Sequence, residues 1–301
     1  QERSISIQLD GIAMPSSWIE IDLSCLRHNY QEAVRRLGRG AFVMGVVKSD
    51  AYGHGMVPVS RELVACGARF LAVSKYWEAR ELRSAGINVP IVVLLGLEPD
   101  EVEEAVVQEV RPVVFRLDHA RRVSDAALGM GRKAKVHIKV DTGMGRLGVP
   151  WEELPGFLDA FVRLRGIELE GVLSHFAAAD EADKKYCETQ AGRFNAVLET
   201  FHGRGIPVPY AHISNSAGLL DLPHAHFQLV RPGIMLYGSQ PSREVRQPAD
   251  LRPVMTFKST ILQLKSLPSG SPVGYGMTSV SYTHLRAHET PEHLVCRLLL
   301  E

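Results

Sequence analysis

The sequence predicts an α/β chain whose larger part is a closed (β/α)8 barrel of the TIM type, followed by an incomplete β domain. Three observations carry this. Eight short apolar runs, at 42–47, 70–73, 91–95, 110–115, 136–140, 169–173, 210–213 and 227–230, alternate with stretches of helical period. Strands alternating with helices imply right-handed crossovers and a parallel sheet, and eight such units suggest closure into a barrel. The one Gly-x-Gly-x-x-Gly run, Gly143-Met-Gly-Arg-Leu-Gly148, follows the fifth apolar run rather than the first, out of place for the dinucleotide turn of an open doubly wound sheet, and eight strands favour closure.

Residues 1–17 carry no pattern. Trp18-Ile-Glu-Ile-Asp-Leu23 alternates apolar and polar, as a half-buried strand does. Asp22 or Ser24 can then cap a helix reaching about residue 37, with Leu26, Tyr30, Ala33, Val34 and Leu37 at helical spacing. Six of the seven residues at 41–47 are apolar, Gly45 being the exception, as in a strand buried on both faces. Between the later runs, helices are predicted over 57–65, 75–85, 100–107, 118–128, 151–164 and 182–202. The rhythm stops after Tyr237. Residues 240–253 are polar and rich in Pro and Arg and read as a linker; 254–265 has strand character. A turn at 268–272 leads to Val273-Gly-Tyr-Gly-Met-Thr278. The predicted organisation is an N-terminal segment (1–24), whose strand packs on the β domain, a barrel (25–240), the start of a β domain (241–278) and a tail (279–301).

Composition bounds the function. With 301 residues the chain can bury one large core and part of a second. Lys plus Arg (34) balances Asp plus Glu (34), which argues against nucleic acid or a membrane surface as partner. Cys25, Cys66, Cys187 and Cys296 form no Cys-x-x-Cys pair, so neither zinc nor a disulfide framework is indicated, and a reducing cytoplasm fits. His288-Glu-Thr-Pro-Glu-His293 lacks the His-Glu-x-x-His spacing and Pro291 would break a helix, so no metal is expected there. No apolar run reaches the ~18 residues of a spanning helix, and no secretory signal is visible. The first residue is Gln1, so a removed leader stays open.

Chemistry in a barrel belongs at the carboxyl ends of the strands. There the runs deliver Lys48, Tyr52 and His54; Lys139, Asp141 and Arg146; Ser174 and His175; Asn215 and Ser216; and Arg231, Gly233 and Ile234. Burial lowers a lysine's pKa, and a partly deprotonated Lys48 can attack a carbonyl, which points to a Schiff base with an aldehyde cofactor. The plain alternative is a solvated lysine ending a strand. Ser216, the Gly233 and Ile234 amides and the Tyr52 hydroxyl suit an anion such as phosphate, the alternative being ordinary turns.

The run Val46-Val-Lys-Ser-Asp-Ala-Tyr-Gly-His-Gly55 is similar to the cofactor-lysine signature of the alanine racemases, barrel-class (fold type III) enzymes of pyridoxal 5'-phosphate (PLP). Later motifs in matching order extend the resemblance from about Trp18 to Thr278. It implies that Lys48 holds PLP, and that Tyr52, Asn215, Ser216, Gly233 and Ile234 belong to the cofactor site. Arg231, in Val-Arg-Pro-Gly-Ile, matches the arginine that meets the pyridine nitrogen; as a permanent donor it does not protonate the ring. Related decarboxylases place a carboxylate there. Arg146, in Asp-Thr-Gly-Met-Gly-Arg-Leu-Gly, matches the arginine at the phenolic oxygen. Lys139 falls where some members carry a carbamylated lysine, the alternative being a salt bridge to Asp141. His175 matches the histidine linked to the ring arginine.

Racemisation removes the α-proton from one face and returns one to the other, so the resemblance implies two catalytic bases, Lys48 and Tyr275. In the family this tyrosine comes from the other subunit, which implies a homodimer with shared sites. The implied activity is interconversion of L- and D-alanine in the cytoplasm, with D-alanine serving as a peptidoglycan precursor. The alternatives are a non-catalytic PLP-binding barrel, or a broad-specificity or serine racemase. The tail 279–301 shows no resemblance to the family, which continues further. It reads as sequence from another source, so this chain is expected to be weak or inactive beside an intact parent.

Overall fold

The computed structural model describes residues 16–38, 40–277 and 279–280, and forms two compact units, Asp22–Val254 and the segments flanking it. Residues 1–15 and 281–301, including the His288 and His293 pair, lie outside the described residues. In chain order the elements are β1 (Ser17–Ile21), α1 (Leu23–Arg35), β2 (Phe42–Val46), α2 (Lys48–Gly53), α3 (Met56–Ala65), β3 (Phe70–Val73), α4 (Tyr76–Ser84), β4 (Ile91–Val93), α5 (Val102–Val107), β5 (Arg111–Val114), α6 (Leu117–Gly129), β6 (Ala134–Asp141), β7 (Val149–Pro150), α7 (Leu154–Phe161), β8 (Ile167–Leu173), α8 (Lys185–Gly203), β9 (Tyr210–His212), α9 (Ser216–Asp221), β10 (Leu229–Val230), β11 (Met255–Ser259), β12 (Pro272–Val273) and β13 (Ser279–Val280).

In the larger unit eight parallel strands run in the order β10-β2-β3-β4-β5-β6-β8-β9. Gln228 N donates to Ala211 O (3.2 Å) and Arg231 N to Ser214 O (2.9 Å), which closes the ring between β9 and β10. Each of the eight apolar runs supplies one strand of this barrel. Alternate residues fill its interior: Met44 and Val46 of β2, Phe70 and Ala72 of β3, Val92, Val113, Leu173 and Leu229 form one buried cluster. Burial of such side chains, each worth about 1.5–3 kcal/mol, drives the closure.

The structure departs from the sequence-based prediction at several places. Strand β7 was not predicted, because two residues present no period; it arises where the loop after β6 doubles back and pairs Val140 with Val149. The helix expected over 182–202 starts at Lys185. The Lys184 ammonium instead binds the Ala179 and Glu181 carbonyls (both 2.6 Å) and the Asp221 carboxylate (2.9 Å), which holds the preceding loop out of helical geometry. The helix expected over 151–164 opens with a 3-10 turn, Trp151–Glu153, and ends at Phe161. At the N-terminus of α1 the cap is Asp22, whose side chain accepts from Ser24 N and Cys25 N.

Residues 239–254 have no regular structure but are anchored on the barrel unit. Val245, Ala249 and Val254 are buried. Asn29, fully buried in α1, donates to Leu236 O (3.1 Å) and Arg252 O (2.8 Å) and accepts from Arg252 N (2.8 Å). Arg36 reaches the Gln247 and Pro248 carbonyls.

In the smaller unit β1 and β11 pair antiparallel from Ser17 with Ser259 to Ile21 with Met255, and β12 pairs with β13. The strand predicted over 254–265 is shorter than expected: it spans Met255–Ser259, and Thr260 N still donates to Ser16 O (2.9 Å).

Asn29→Ala would leave three backbone groups flanking the 239–254 strap, Leu236 O before it and Arg252 O and N near its end, without their partner. Its expected cost is about 2–4 kcal/mol, read as a lower urea midpoint with an unchanged slope.

Candidate active site

The carboxyl ends of the strands surround a cavity of about 520 Å³ in the larger unit. Lys48, Tyr52, Lys139, Arg146, His175, Asn215, Ser216, Arg231, Gly233 and Ile234 all line it, so residues spread over nearly two hundred positions of sequence meet in one place. Tyr275 opens a 3-10 turn, Tyr275–Met277, of the smaller unit. Its side chain is outside the described atoms.

Lys48 follows β2 directly and begins α2, whose next four residues, Ser49 to Tyr52, have φ between 51° and 56°. This is a turn of left-handed helix. Each such residue costs an L-amino acid roughly 1–2 kcal/mol, so neighbours must hold it. Glu78 does so from α4: one carboxylate oxygen accepts from Ser49 N (2.5 Å) and the other from Ser74 N (2.7 Å) and Lys75 N (2.9 Å). Asp50 accepts from Met56 N (2.6 Å). His54 is buried, with Nδ1 3.0 Å from the Ala51 and Tyr52 carbonyls, and supports the turn from below rather than reaching the cavity. Glu78 gave no sequence signal, being one acidic residue in the first turn of a helix. The effect of the turn is to swing Tyr52 back over the barrel mouth.

There the Tyr52 hydroxyl faces Gly233. A Cβ at position 233 would sit 2.4 Å from Tyr52 Oη, so only glycine admits this approach. Tyr52 stacks on Tyr237 at 4.8 Å, and Tyr237 donates to Val46 O (2.8 Å). Burial pushes the Tyr52 hydroxyl up to about 12, so it stays a donor. Ser216 Oγ accepts from Gly233 N (3.0 Å), and Asn215 caps α9 through Gly218 N (2.9 Å). Tyr52, Asn215, Ser216, Gly233 and Ile234 thus come together at one end of the cavity.

At the other end lies Arg231, 5% exposed. Its NH2 donates to Ser174 O (2.6 Å), Ile213 O (3.1 Å) and His175 Nδ1 (3.1 Å), and NH1 to His212 Nδ1 (2.6 Å). Burial pulls its pKa down to about 9, still above neutrality, so it remains a cation. Burial first, then Arg231, Lys139, Arg146 and Lys48, holds His175 well below the usual histidine range; it is a neutral ring.

Four cations therefore face one cavity whose described lining sets a carboxylate against them only at Asp180. The Lys48 amine is pulled down by burial and then by Arg146, with Glu78 opposing. Lys139 is held at about 8 by burial, then by Arg231 and Arg146. The alternative of a Lys139–Asp141 salt bridge fails: the Asp141 carboxylate accepts from the amides of Gly143, Met144 and Gly145, shaping the loop that carries Arg146. Among the described residues no group of three or more His, Cys, Asp or Glu could hold a metal, and no helix is long and apolar enough to cross a membrane.

Lys139 predicts a pH dependence of stability. Below about pH 8 the folded state carries the full cost of its buried charge; that cost fades as pH rises from about 8 toward the unfolded value of 10.5. Lys139→Met should raise the urea midpoint at pH 7 and leave a smaller difference from the parent at pH 10.

Against known proteins, residues 21–241 match the family model "Alanine racemase, N-terminal domain". The alanine racemase of Syntrophobacter fumaroxidans is 61% identical over 268 residues, covering 89% of this chain and 71% of the relative. That of Desulforamulus reducens is 44% identical, covering 87% and 71%. Among solved structures, alanine racemase from D-cycloserine producing Streptomyces lavendulae superposes with a TM-score of 0.84 at 36% identity, covering 90% of this chain and 72% of that one. The cycloserine complex of the Clostridium difficile 630 alanine racemase gives 0.82 at 35%, covering 85% and 71%.

Proposed function

This chain belongs to the alanine racemase family, and on that premise we propose that it interconverts L- and D-alanine with PLP as cofactor and with Lys48 and Tyr275 as the two bases. The observation that carries the reading is the convergence of Lys48, Arg231 and the Tyr52–Gly233 pair on one cavity. The donor set suits PLP at each of its ends. Tyr52, Ser216 and the amides of Gly233 and Ile234 would hold the anionic phosphate, with Asn215 keeping α9 in place. Arg231 would face the ring nitrogen, because its described hydrogen bonds use NH1 and NH2 and leave Nε for the cavity. Arg146 would take the phenolic oxygen and Lys48 the aldehyde.

When bound, PLP supplies a conjugated ring that accepts the electron pair left at the substrate α-carbon. The chain's residues do the rest. A lowered Lys48 pKa leaves more of its amine unprotonated near neutrality, as a nucleophile and then as a base require. Lys48 would take or return the α-proton on one face. Tyr275 would serve the opposite face, supplied by the partner subunit of a homodimer as in the family pattern. Arg231, a donor that does not surrender its proton, would leave the ring nitrogen unprotonated and so favour return of the proton to the α-carbon. His175, neutral and hydrogen-bonded to Arg231, would relay that cation's influence to the second base. The cytoplasm is the proposed location, where D-alanine would feed peptidoglycan synthesis.

Incubation with PLP should give the absorbance band of the covalently bound cofactor, lost in Lys48→Ala and quenched by borohydride in the parent. D-alanine should form from L-alanine, weakly in this chain, and in a protein extended to the full length of its relatives Tyr275→Phe should reduce turnover by about a hundredfold or more while leaving the band. A parent chain with no band, or a Tyr275→Phe protein with full turnover, would overturn the assignment.

A further inference from the structure

A line of buried polar groups runs from the cavity down the barrel interior. His212 Nδ1 lies 2.6 Å from Arg231 NH1, His212 Nε2 2.9 Å from His137 Nδ1, and His137 Nε2 3.3 Å from Glu170 Oε2. Both rings are 0% exposed and Glu170 is 6% exposed. At the far end Arg111 Nε (3.2 Å) and Lys135 Nζ (3.4 Å) face the same carboxylate.

Both ends of this line dictate its direction. A guanidinium only donates, so His212 Nδ1 is bare and Nε2 carries the proton. A carboxylate only accepts; despite burial, hydrogen bonds from His137 and Arg111 and the charge of Arg111 hold Glu170 below the usual carboxylate range. His137 must then carry its proton on Nε2 and accept on Nδ1. The two requirements meet without conflict between the rings, and each imidazole is neutral.

The sheet is built around this line. Between β6 and β8 the register shifts, so that Val136 faces Leu169 and His137 faces Gly171, with Glu170 as the extra residue of a bulge. A Cβ on Gly171 would come within 2.4 Å of His137 Nδ1, so the glycine makes the slot for the ring.

We propose that Glu170 is a positioning residue for Arg231, acting through His137 and His212 to fix the plane and donor direction of the guanidinium that meets the cofactor ring. The step rests on the proposed racemase reading for its catalytic consequence, but the hydrogen-bond line itself is testable without cofactor. Histidine-labelled apoprotein should show, by ring 15N NMR at neutral pH, both His137 and His212 protonated on Nε2. In Glu170→Met those assignments should be lost to mixed tautomers, and Glu170→Gln, whose amide oxygen still accepts, should keep them. In the PLP-loaded chain Glu170→Met should lower kcat about tenfold to a hundredfold with KM for alanine within about twofold, and Glu170→Gln should restore most of it. Should Glu170→Met fail to fold, Gly171→Ala, which obstructs the His137 slot, is read by the same two criteria. Unchanged ring tautomers in Glu170→Met or Gly171→Ala, or an unchanged kcat in either of those two variants, overturn the proposal. If the parent shows no racemisation, the racemase reading fails while the NMR result still decides the line.

Discussion

The hydrogen bonds of the Arg231 guanidinium are the constraint on which the site depends. A buried cation must be satisfied on nearly every donor or it destabilises the fold by several kcal/mol. Arg231 meets this with the Ser174 carbonyl after β8, the Ile213 carbonyl after β9, and the rings of His175 and His212. Its own amide bonds Ser214 O and helps close the barrel. One side chain thus ties together three consecutive strand ends and the wall of the cavity. The cation is placed by the same bonds that complete the sheet.

Around it the electrostatics is one-sided. Lys48, Lys139 and Arg146 join Arg231 at the mouth, and burial together with mutual repulsion depresses both lysines. Such an arrangement is costly by itself, and an anion in the cavity would relieve it. The left-handed turn at Ser49–Tyr52 is a second cost of the same kind. Glu78 meets it by gathering three amides on one carboxylate, and with the turn so held Lys48 and Tyr52, four positions apart in the chain, both face the cavity.

Much of this was legible in the residues. The eight apolar runs became the eight barrel strands, because a strand buried on both faces leaves no choice of composition. The candidate site residues of the barrel came to one mouth because, in parallel strands, residues just past each carboxyl end share a rim. Glu78, His137, Glu170 and His212 were not singled out. Glu78 is one acidic residue in the first turn of a helix and the other three are lone polar residues within apolar runs, and the meaning of each lies in a partner between 29 and 75 positions away. Strand β7 and the late start of α8 escaped for a related reason: a returning loop and a buried ammonium decided them, not local periodicity.

By itself, then, the sequence determined the order of strands and helices, the barrel class and the identity of the lysine and arginines that face the mouth. Period and composition are local properties that survive in one dimension. The tertiary structure alone decided the register shift between β6 and β8, the slot at Gly171, the approach of Tyr52 to Gly233 and the direction of every proton between Arg231 and Glu170. Those depend on distances between segments far apart in the chain, and only closure of the barrel sets such distances.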